Sequence, residues 1–321
     1  MQAIGFRNLG GPEVLEFGNT MLIDPGPGEV QIRQIAIGVN FIDTYHRSGI
    51  YPVSLPSGLG LEAAGIVEAV GTGVAIAVGT RVGYCWGPIG AYATHRTIAA
   101  DRVVVLPDGI SDEVAAAALL KGCTAEFLVE RCARVQPRQW ALVQAAAGGV
   151  GLLLVQWLKH VGATVIAVAG SADKVAMAIA HGADHGLVYG DTLAQHVREL
   201  TSGRGVDVVF DGIGKVTFEA SLDCLKRRGL HISYGNASGP VGAVDFSILA
   251  RKGSLFTTRP TLFDYYANRE EIETHAGRLL ALISNGTLKV SIDQRYALSD
   301  AATAHRDLEA RRTTGSTVLL P

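Results

Sequence analysis

A short glycine-containing turn constrains the fold of this chain more than any other feature. Residues Ala145–Gly151 read AAAGGVG, follow the apolar run Trp140–Val143 and lead into the helical stretch LLLVQWLKH. The A-x-G-x-x-G spacing matches the dinucleotide-binding fingerprint, with Ala146 in place of the first glycine. In such a turn Gly148 lets the backbone approach a pyrophosphate, and Gly151 lets the helix pack closely on the strand. The residues of the turn expected to hold the cofactor are Gly148, Gly149 and Val150.

The sequence around this turn alternates between short apolar runs and helical stretches. TVIAVAG, DHGLVY, VDVVFDG and GLHISYG are typical of strands, and stretches such as DKVAMAIAHG and LAQHVRELTSG separate them. Strands that alternate with helices predict βαβ units and a parallel sheet. The first ~120 residues differ, because turn signals such as PGPGE, PSGLG and VGTGV punctuate short alternating runs. That pattern predicts a compact antiparallel β domain.

The length of the chain predicts two domains. Its 321 residues exceed a single core of about 100–150 residues. The final ~60 residues do not continue the strand–helix alternation, so we assign them to the first domain. The prediction is an α/β protein with a discontinuous β-rich domain over residues 1–122 and 261–321, and a doubly wound nucleotide-binding domain over residues 123–260.

Charge and composition argue against several classes of protein. The net charge of −2 offers no attraction to nucleic acid or to an anionic membrane. No apolar run approaches the ~20 residues of a membrane span, and the opening MQAIGFRNLGG lacks the pattern of a signal peptide. Four cysteines without a C-x-x-C pair argue against a disulfide framework. We expect a cytoplasmic protein without nucleic-acid or membrane partners.

The strand after the turn predicts which dinucleotide is bound. Folds that bind NAD usually carry an acidic residue about 20 residues beyond the glycines, where it holds the ribose 2′-hydroxyl. Here the strand TVIAVAG ends at Gly170 and Ser171, and Lys174 follows. A hydroxyl and an ammonium group favour a 2′-phosphate, so we predict NADPH. Asp173 is acidic and close, but we assign it to the helix dipole. The alternative for Lys174 is a solvated helix lysine.

Five segments of the chain carry distinctive motifs. They are GVNFIDTY from Gly38, RSG from Arg47, LPSGLG from Leu55, the turn at Ala145–Gly151, and SLDCLKRRGL from Ser221. Together they resemble the bacterial quinone oxidoreductases, zeta-crystallin-like and zinc-free members of the medium-chain dehydrogenase/reductase superfamily. The resemblance extends from the N-terminus to the final STVLLP. It implies a GroES-like catalytic domain built from both chain ends, a central Rossmann domain, bound NADPH, and a homodimer or tetramer.

The residues at two positions argue against zinc. Zinc-dependent relatives place Cys where this chain has Asn40, and His where it has Leu61. Neither an amide nor a leucine replaces thiolate and imidazole as a tetrahedral Zn²⁺ ligand. We therefore expect no metal site. Without a Lewis acid to stabilise an alkoxide, acceptors whose own conjugation takes up charge, such as quinones and enones, are favoured.

The resemblance also implies roles for individual residues. Ser171, Lys174 and Tyr189 resemble a pocket for the adenosine 2′-phosphate. The remaining residues expected to bind the cofactor are Phe41, Ile42, Asp43, Thr124, Tyr234, Gly235, Asn236 and Arg311. The residues expected to act on or hold the substrate are Asn40, Tyr45, Tyr51 and, for substrate binding alone, Arg259.

Some of these assignments have plain structural alternatives. Tyr45 and Tyr51 are also typical of interior tyrosines, and Arg311 lies near a helix end, where an arginine offsets the dipole. Gly212 stands in DGIG, where close relatives can carry Ser, so a side-chain contact to the cofactor is in doubt there.

These patterns predict hydride transfer from NADPH to a quinone held by Tyr45, Tyr51 and the nicotinamide. The protein contributes orientation, exclusion of water and hydrogen bonds to the quinone oxygen. No clear general acid is visible, and a tyrosine hydroxyl or water supplies the proton. One alternative is a 2-alkenal or enone reductase on the same scaffold. A second alternative is a structural or RNA-binding nucleotide module, against which the near-neutral charge argues.

Overall fold

A computed structural model describes every residue from Met1 to Pro321, and the chain forms two compact units. Unit 1 comprises Met1–Cys123 and Tyr266–Pro321, and unit 2 comprises Thr124–Tyr265. The boundaries predicted from the sequence fall after residues 122 and 260.

The regular elements are sixteen strands and ten α-helices. The strands are β1 (Gln2–Phe6), β2 (Glu16–Asn19), β3 (Glu29–Val39), β4 (Ser57–Gly58), β5 (Glu62–Val70), β6 (Arg81–Tyr84), β7 (His95–Ala99), β8 (Val104–Val105), β9 (Trp140–Val143), β10 (Thr164–Ala169), β11 (His185–Val188), β12 (Val206–Asp211), β13 (Leu225–Ser233), β14 (Phe256–Thr258), β15 (Ile292–Ala297) and β16 (Ser316–Leu320). The helices are α1 (Phe41–Ser48), α2 (Asp112–Glu126), α3 (Gly149–His160), α4 (Ala172–Ala180), α5 (Leu193–Leu200), α6 (Phe218–Cys224), α7 (Ser247–Arg251), α8 (Leu262–Tyr265), α9 (Arg269–Ser284) and α10 (Ala301–Glu309).

Unit 1 is built around a large, mostly antiparallel sheet. Its strand order is β15-β16-β3-β5-β6-β8, and β7 pairs with β3; a small second sheet has the order β2-β1-β4. The long strand β3 contributes Val30, Ile32 and Ile37 to the core, each with no exposed surface. Strand β16, from the end of the chain, pairs antiparallel with β3. This pairing explains why the final residues belong to the first unit, and the predicted antiparallel β domain is confirmed.

Unit 2 contains a six-stranded parallel sheet with the order β11-β10-β9-β12-β13-β14. This is the 3-2-1-4-5-6 order of a doubly wound fold. A parallel sheet is covered on both faces, so its strands are continuously apolar rather than alternating. Strand β10 fits this rule, because its residues from Val165 to Ala169 are all apolar and buried. The parallel sheet predicted from the strand–helix alternation is confirmed.

The strand order positions the glycine turn. The turn follows β9 and opens α3, at the point where the strand order reverses between β9 and β12. In doubly wound sheets ligands bind at such a point, outside the carboxyl ends of the strands. We call this side of the unit 2 sheet the carboxyl edge.

Gly151 is the residue that permits α3 to pack against this turn. A Cβ at Gly151 would lie 2.4 Å from the Ala145 carbonyl oxygen and 2.8 Å from the Ala146 Cα. Both neighbours are backbone atoms, so the turn and the helix would have to separate to accept even a methyl group. The helical Gly277 in α9 is exposed, and a Cβ there would meet no atom within 4 Å.

We predict opposite effects of alanine at these two helical glycines. Gly151→Ala should destabilise the protein by about 1–3 kcal/mol through overpacking. Gly277→Ala should stabilise it by about 0.5–1 kcal/mol, because it lowers the entropy of the unfolded chain and nothing obstructs the methyl group. Thermal unfolding followed by circular dichroism measures both. An unchanged transition for Gly151→Ala would contradict the close approach described above.

Candidate functional site

Two buried carboxylates hold the first residue of the site in unit 1. Asn40 caps α1: its backbone N–H donates to Asp43 Oδ2 at 2.8 Å, and its Nδ2 donates to Glu62 Oε2 at 2.8 Å. Glu62 has no exposed surface and also accepts from the Leu120 N–H at 2.6 Å and from Lys121 Nζ at 3.4 Å. Because a carboxylate only accepts, Glu62 fixes the amide of Asn40 with its nitrogen turned toward β5.

A chain of buried hydrogen bonds continues from Asp43 to the C-terminal part of unit 1. The Tyr92 hydroxyl donates to Asp43 Oδ2 at 2.9 Å and lies 3.1 Å from His305 Nε2. Arg47 Nη1 lies 2.9 Å from His305 Nδ1, and Arg47 Nη2 donates to Glu309 at 2.6 Å. Arginine only donates, so His305 accepts at Nδ1 and carries its proton on Nε2. The donors Arg47 Nη1, His305 Nε2 and the Tyr92 hydroxyl therefore point in turn toward Asp43, whereas Arg47 Nη2 donates in the other direction, to Glu309.

Burial dominates the titration of this cluster. Burial raises the pKa of Asp43 to about 7, although hydrogen bonds from Asn40 and Tyr92 oppose the shift. Burial also raises the pKa of Glu62, against the attraction of Lys121. Burial, together with the smaller effect of the neighbouring Arg47 charge, lowers the pKa of His305 to about 3. His305 is thus a neutral link between α1 and α10.

Aromatic side chains lie on α1 and in the turn that follows it. The Tyr45 and Tyr51 rings meet edge to face with centroids 5.4 Å apart, and Phe41 lies 6.3 Å from Tyr45. The Tyr51 N–H donates to the Tyr45 carbonyl at 3.0 Å. Tyr45 is 6% exposed and Tyr51 is half-buried. The structure therefore brings the two predicted substrate tyrosines together, one of them on the helix that Asn40 caps.

The glycine turn in unit 2 offers backbone groups to a ligand. Gly148 caps α3 without any side-chain hydrogen bond to the first helical turn. A helix start without a side-chain cap is suited to bind phosphate through its N–H groups. Ala145 has a positive φ of 51°, and its N–H donates to the Tyr189 hydroxyl at 2.7 Å. Tyr189, predicted for the 2′-phosphate pocket, thus braces the turn itself.

Beside this turn, the end of β10 presents a hydroxyl and an ammonium group. Ser171 caps α4, and its Oγ accepts from the Lys174 N–H at 3.4 Å. Ser171 is exposed and Lys174 is half-buried, while a Cβ at Gly170 would meet no atom within 4 Å. The open space, the polar groups and the start of α3 together fit a dinucleotide that carries a 2′-phosphate.

The glycine at position 212 is explained by a neighbouring ring. A Cβ at Gly212 would lie 2.8 Å from Cζ of Tyr234, and a Cβ at Gly235 would lie 2.3 Å from the Gly212 carbonyl oxygen. A serine at position 212 would therefore collide with the Tyr234 ring. The Tyr234 ring would have to move before position 212 could carry a side chain.

The predicted site residues separate into two sets. Those on α1 and its following turn are Asn40, Phe41, Ile42, Asp43, Tyr45 and Tyr51; Arg311 belongs to the same unit but is exposed beyond α10. Those at or beyond the carboxyl edge of unit 2 are Gly148, Gly149, Val150, Ser171, Lys174, Tyr189, Tyr234, Gly235, Asn236 and Arg259. Thr124 is buried on α2, and Arg259 is exposed and donates to the Pro260 carbonyl at 3.1 Å.

Sequence reasoning missed the polar residues that support Asn40 and Asp43. Glu62 and Lys121 are single charges inside apolar segments, LGLEAAGIV and AAALLKGC, and that isolation is a usable signal. Tyr92 and His305 carry no comparable signal, because their contact joins residues 213 positions apart.

No group of three His, Cys, Asp or Glu side chains is arranged to hold a metal ion. Leu61 is 3% exposed and lies in the apolar interior, and the amide of Asn40 pairs with Glu62. No helix combines the length and the apolar character needed to cross a membrane.

Comparison with known proteins identifies relatives along the whole chain. A family described as "Alcohol dehydrogenase GroES-like domain" matches residues 26–108, and one described as "Zinc-binding dehydrogenase" matches residues 149–281. A quinone oxidoreductase of Pseudomonas aeruginosa is 50% identical and covers 99% of each chain. A 2-haloacrylate reductase of a Burkholderia species is 43% identical over 100% of this chain and 99% of the relative.

The fold is also that of a solved structure. The crystal structure of Escherichia coli quinone oxidoreductase complexed with NADPH superimposes with a TM-score of 0.98 at 47% identity, covering 100% of both chains. The predicted fold class, a GroES-like domain with a doubly wound Rossmann domain, is confirmed.

The buried cluster in unit 1 predicts opposite pH effects of two of its members. The pKa of Asp43 is raised from 3.8 to about 7, so its contribution to stability is present below about pH 4 and is lost as pH rises through 7. The pKa of His305 is lowered from 6.5 to about 3, so its contribution is present above about pH 6.5 and is lost as pH falls through 3.

We therefore expect Asp43→Asn and His305→Gln to change the pH dependence of stability in opposite directions. Between about pH 4.5 and 6.5, the stability of Asp43→Asn should rise more with pH than that of wild type, and that of His305→Gln should rise less. Each difference should be on the order of 1–3 kcal/mol, since one pKa unit corresponds to about 1.4 kcal/mol. Denaturant unfolding across this pH range measures it, and pH profiles parallel to wild type would refute the assignment.

Proposed function

Because the chain belongs to the quinone oxidoreductase family, we propose that it transfers hydride from NADPH to a quinone. The resemblance identified from the sequence motifs is confirmed at the level of the family and of an oxidoreductase. The observation that carries the proposal is similarity over the full length of relatives with this activity, together with a dinucleotide turn at the carboxyl edge of unit 2.

In this proposal the cofactor is held mainly by backbone groups and by the end of β10. Gly148 lets the backbone approach the pyrophosphate while its own N–H donates to the Ala145 carbonyl at 2.9 Å. The N–H groups at Gly149 and Val150 bind the pyrophosphate, and Ser171 and Lys174 bind the 2′-phosphate. The Tyr189 hydroxyl supports the turn through the Ala145 N–H. When bound, NADPH supplies the hydride. The residues proposed around its remaining parts are Phe41, Ile42, Asp43, Thr124, Tyr234, Gly235, Asn236 and Arg311.

The substrate is proposed to lie against Asn40, Tyr45 and Tyr51, with Arg259 as a further contact. Glu62 holds the Asn40 amide in one orientation, which allows Asn40 to position the quinone without rearrangement. The edge-to-face pair of tyrosines provides an apolar wall and two hydroxyl groups, one of which, or a water molecule, delivers a proton to the quinone oxygen.

The proposed reaction uses no metal. Asn40 and Leu61 stand where zinc-dependent relatives carry ligands, and the first is engaged by Glu62 while the second is part of the apolar interior. We further propose a cytoplasmic homodimer with no nucleic-acid partner. The four free cysteines suit a reducing compartment, and the net charge of −2 gives no attraction to polyanions as a whole.

Reduction of an activated carbon–carbon double bond is the second candidate. It is favoured by the 43% identity to a 2-haloacrylate reductase, which spans the full length of both chains. The same scaffold would then deliver hydride to an enone or 2-alkenal.

An acceptor series distinguishes the two candidates. NADPH consumption should be at least ten-fold more efficient, as kcat/KM, with 1,4-benzoquinone or 9,10-phenanthrenequinone than with 2-hexenal. Dialysis against EDTA should leave these rates unchanged, and elemental analysis should find far less than one zinc per chain. A preference for 2-hexenal would favour the second candidate, and zinc that is lost together with activity would refute the metal-free proposal.

The cofactor assignment predicts a selective effect at Lys174. Lys174→Ala removes a charge-assisted contact worth roughly 1.5–3 kcal/mol, so NADPH affinity should fall about ten- to hundred-fold. NADH affinity and kcat should hardly change, because NADH carries no 2′-phosphate. Titration of wild type and variant with both cofactors at fixed ionic strength measures this difference.

Ser171→Asp provides the reciprocal test. Aspartate is a good N-cap, so α4 should remain intact, but its carboxylate repels a 2′-phosphate and accepts from a 2′-hydroxyl. The preference should shift toward NADH. Equal losses of NADPH and NADH affinity in Lys174→Ala would show instead that Lys174 has only a structural role.

A further inference from the structure

A strongly basic pocket lies on unit 2, away from the proposed cofactor turn. It is a cavity of about 600 Å³, and seven of the ten residues that line it are Arg or Lys. Its walls include Arg204, just before β12, and Leu225, the first residue of β13. Because these strands are parallel, their amino ends lie at the edge of the sheet opposite to the carboxyl edge. We call this cavity the basic pocket.

The walls of the basic pocket are tied together by one guanidinium group. Arg198 Nη1 donates to the carbonyls of Gly203 at 3.1 Å and Arg204 at 3.2 Å. Its Nη2 donates to the carbonyls of Asp223 and Leu225, both at 3.0 Å. On the other side, the Arg228 N–H donates to the Gly253 carbonyl at 2.9 Å. The pocket is therefore preorganised, which reduces the entropic cost of binding a ligand.

Carboxylates compensate only part of the charge of the basic pocket. Four of its cations form ion pairs with three aspartates: Arg204 and Lys226 with Asp207, Lys252 with Asp223, and Arg251 with Asp245 at 3.8 Å. The cation of each pair is partly exposed, so solvent screens its charge in part, although Asp207 itself is buried.

Two neighbouring arginines have side chains without a partner. Arg227 and Arg228 are exposed, and neither side chain forms a hydrogen bond or an ion pair. Both lie in the SLDCLKRRGL segment, and their guanidinium groups add two uncompensated charges in a chain whose net charge is −2. The positive charge is thus concentrated at the basic pocket, while the protein as a whole is slightly acidic.

We propose that the basic pocket binds a small anion with several phosphate groups. Guanidinium groups match the geometry of phosphate oxygens and bind them in pairs. Two unpaired arginines and a partly neutralised lining favour a ligand with more than one negative charge. The volume of the pocket suits a small molecule. No aromatic side chain lines the pocket, so it offers no stacking surface for a base. The chemistry recognised is therefore the phosphate chain itself.

Isothermal titration of the full chain with tripolyphosphate tests this proposal. Saturating NADP⁺ is present throughout, so that the proposed cofactor site is filled. At low ionic strength we expect one tripolyphosphate per chain, and an affinity that falls as salt is added. The variant Arg227→Ala/Arg228→Ala should raise the Kd at least ten-fold. If the alanine pair folds poorly, the same test applies to Arg227→Gln/Arg228→Gln, which keeps polar side chains.

Arg134→Ala/Arg138→Ala is the matched control. Both arginines are exposed in the same unit and lie outside the basic pocket, and Arg138 shares a positive φ with Arg228 (69° and 59°). The Kd should not change in the control. The proposal would be overturned if both double variants lost the same affinity for tripolyphosphate, or if wild type did not bind it. A wild type that binds single-stranded RNA but not tripolyphosphate would overturn it as well.

The rate of quinone reduction, measured in the same variants, distinguishes a failure of this proposal from a failure of the proposed function. The rate of the Arg227/Arg228 variant should equal that of wild type, because the basic pocket lies at the opposite edge of the sheet from the cofactor turn. Loss of activity in step with tripolyphosphate affinity would assign the arginines to folding or to the cofactor site, and would overturn the proposal.

Discussion

The burial of two carboxylates in unit 1 is the constraint on which the site at α1 depends. Asp43 and Glu62 have no exposed surface, and a buried carboxylate without partners costs several kcal/mol. Each carboxylate must therefore keep its donors in place. Asn40 donates to both of them, so its position and orientation are determined by the need to pair these groups. Tyr45 follows from the same requirement, because it lies on the helix that Asn40 caps.

Unit 2 obeys a different constraint, which is steric. Its functional groups collect at the carboxyl edge because parallel strands all end there, and backbone can approach backbone only where side chains are absent. Gly151 allows α3 to contact the turn, and Gly235 allows the end of β13 to contact Gly212. The Tyr234 ring then occupies the space that a side chain at position 212 would need. The ligand-binding edge is thus shaped by missing Cβ atoms as much as by polar groups.

These two constraints explain what could be predicted from the sequence. The glycine turn, the strand–helix alternation and the Ser171–Lys174 pair are local patterns, so spacing alone identifies them. The supports of Asn40 and Asp43 are not local: Glu62 meets Lys121 across 59 positions and Tyr92 meets His305 across 213. Residue spacing carries no information about such pairs. Tyr189 was assigned to the phosphate pocket by resemblance, and only the structure shows its hydroxyl on the turn, 44 residues away in sequence.

The charge arrangement around Asn40 bears on the choice of substrate. Lys121 and Glu62 are both buried and form a pair without net charge, and the amide of Asn40 completes it as a neutral donor. A quinone is uncharged before hydride arrives and anionic afterwards. In the proposed site, an amide donor held by the Glu62–Lys121 pair would bind it without a large desolvation cost. A metal cation at this place would instead favour an alkoxide. Under the proposed metal-free function, the Asn40–Glu62–Lys121 pairing gives a physical reason for a conjugated, neutral acceptor rather than an alcohol.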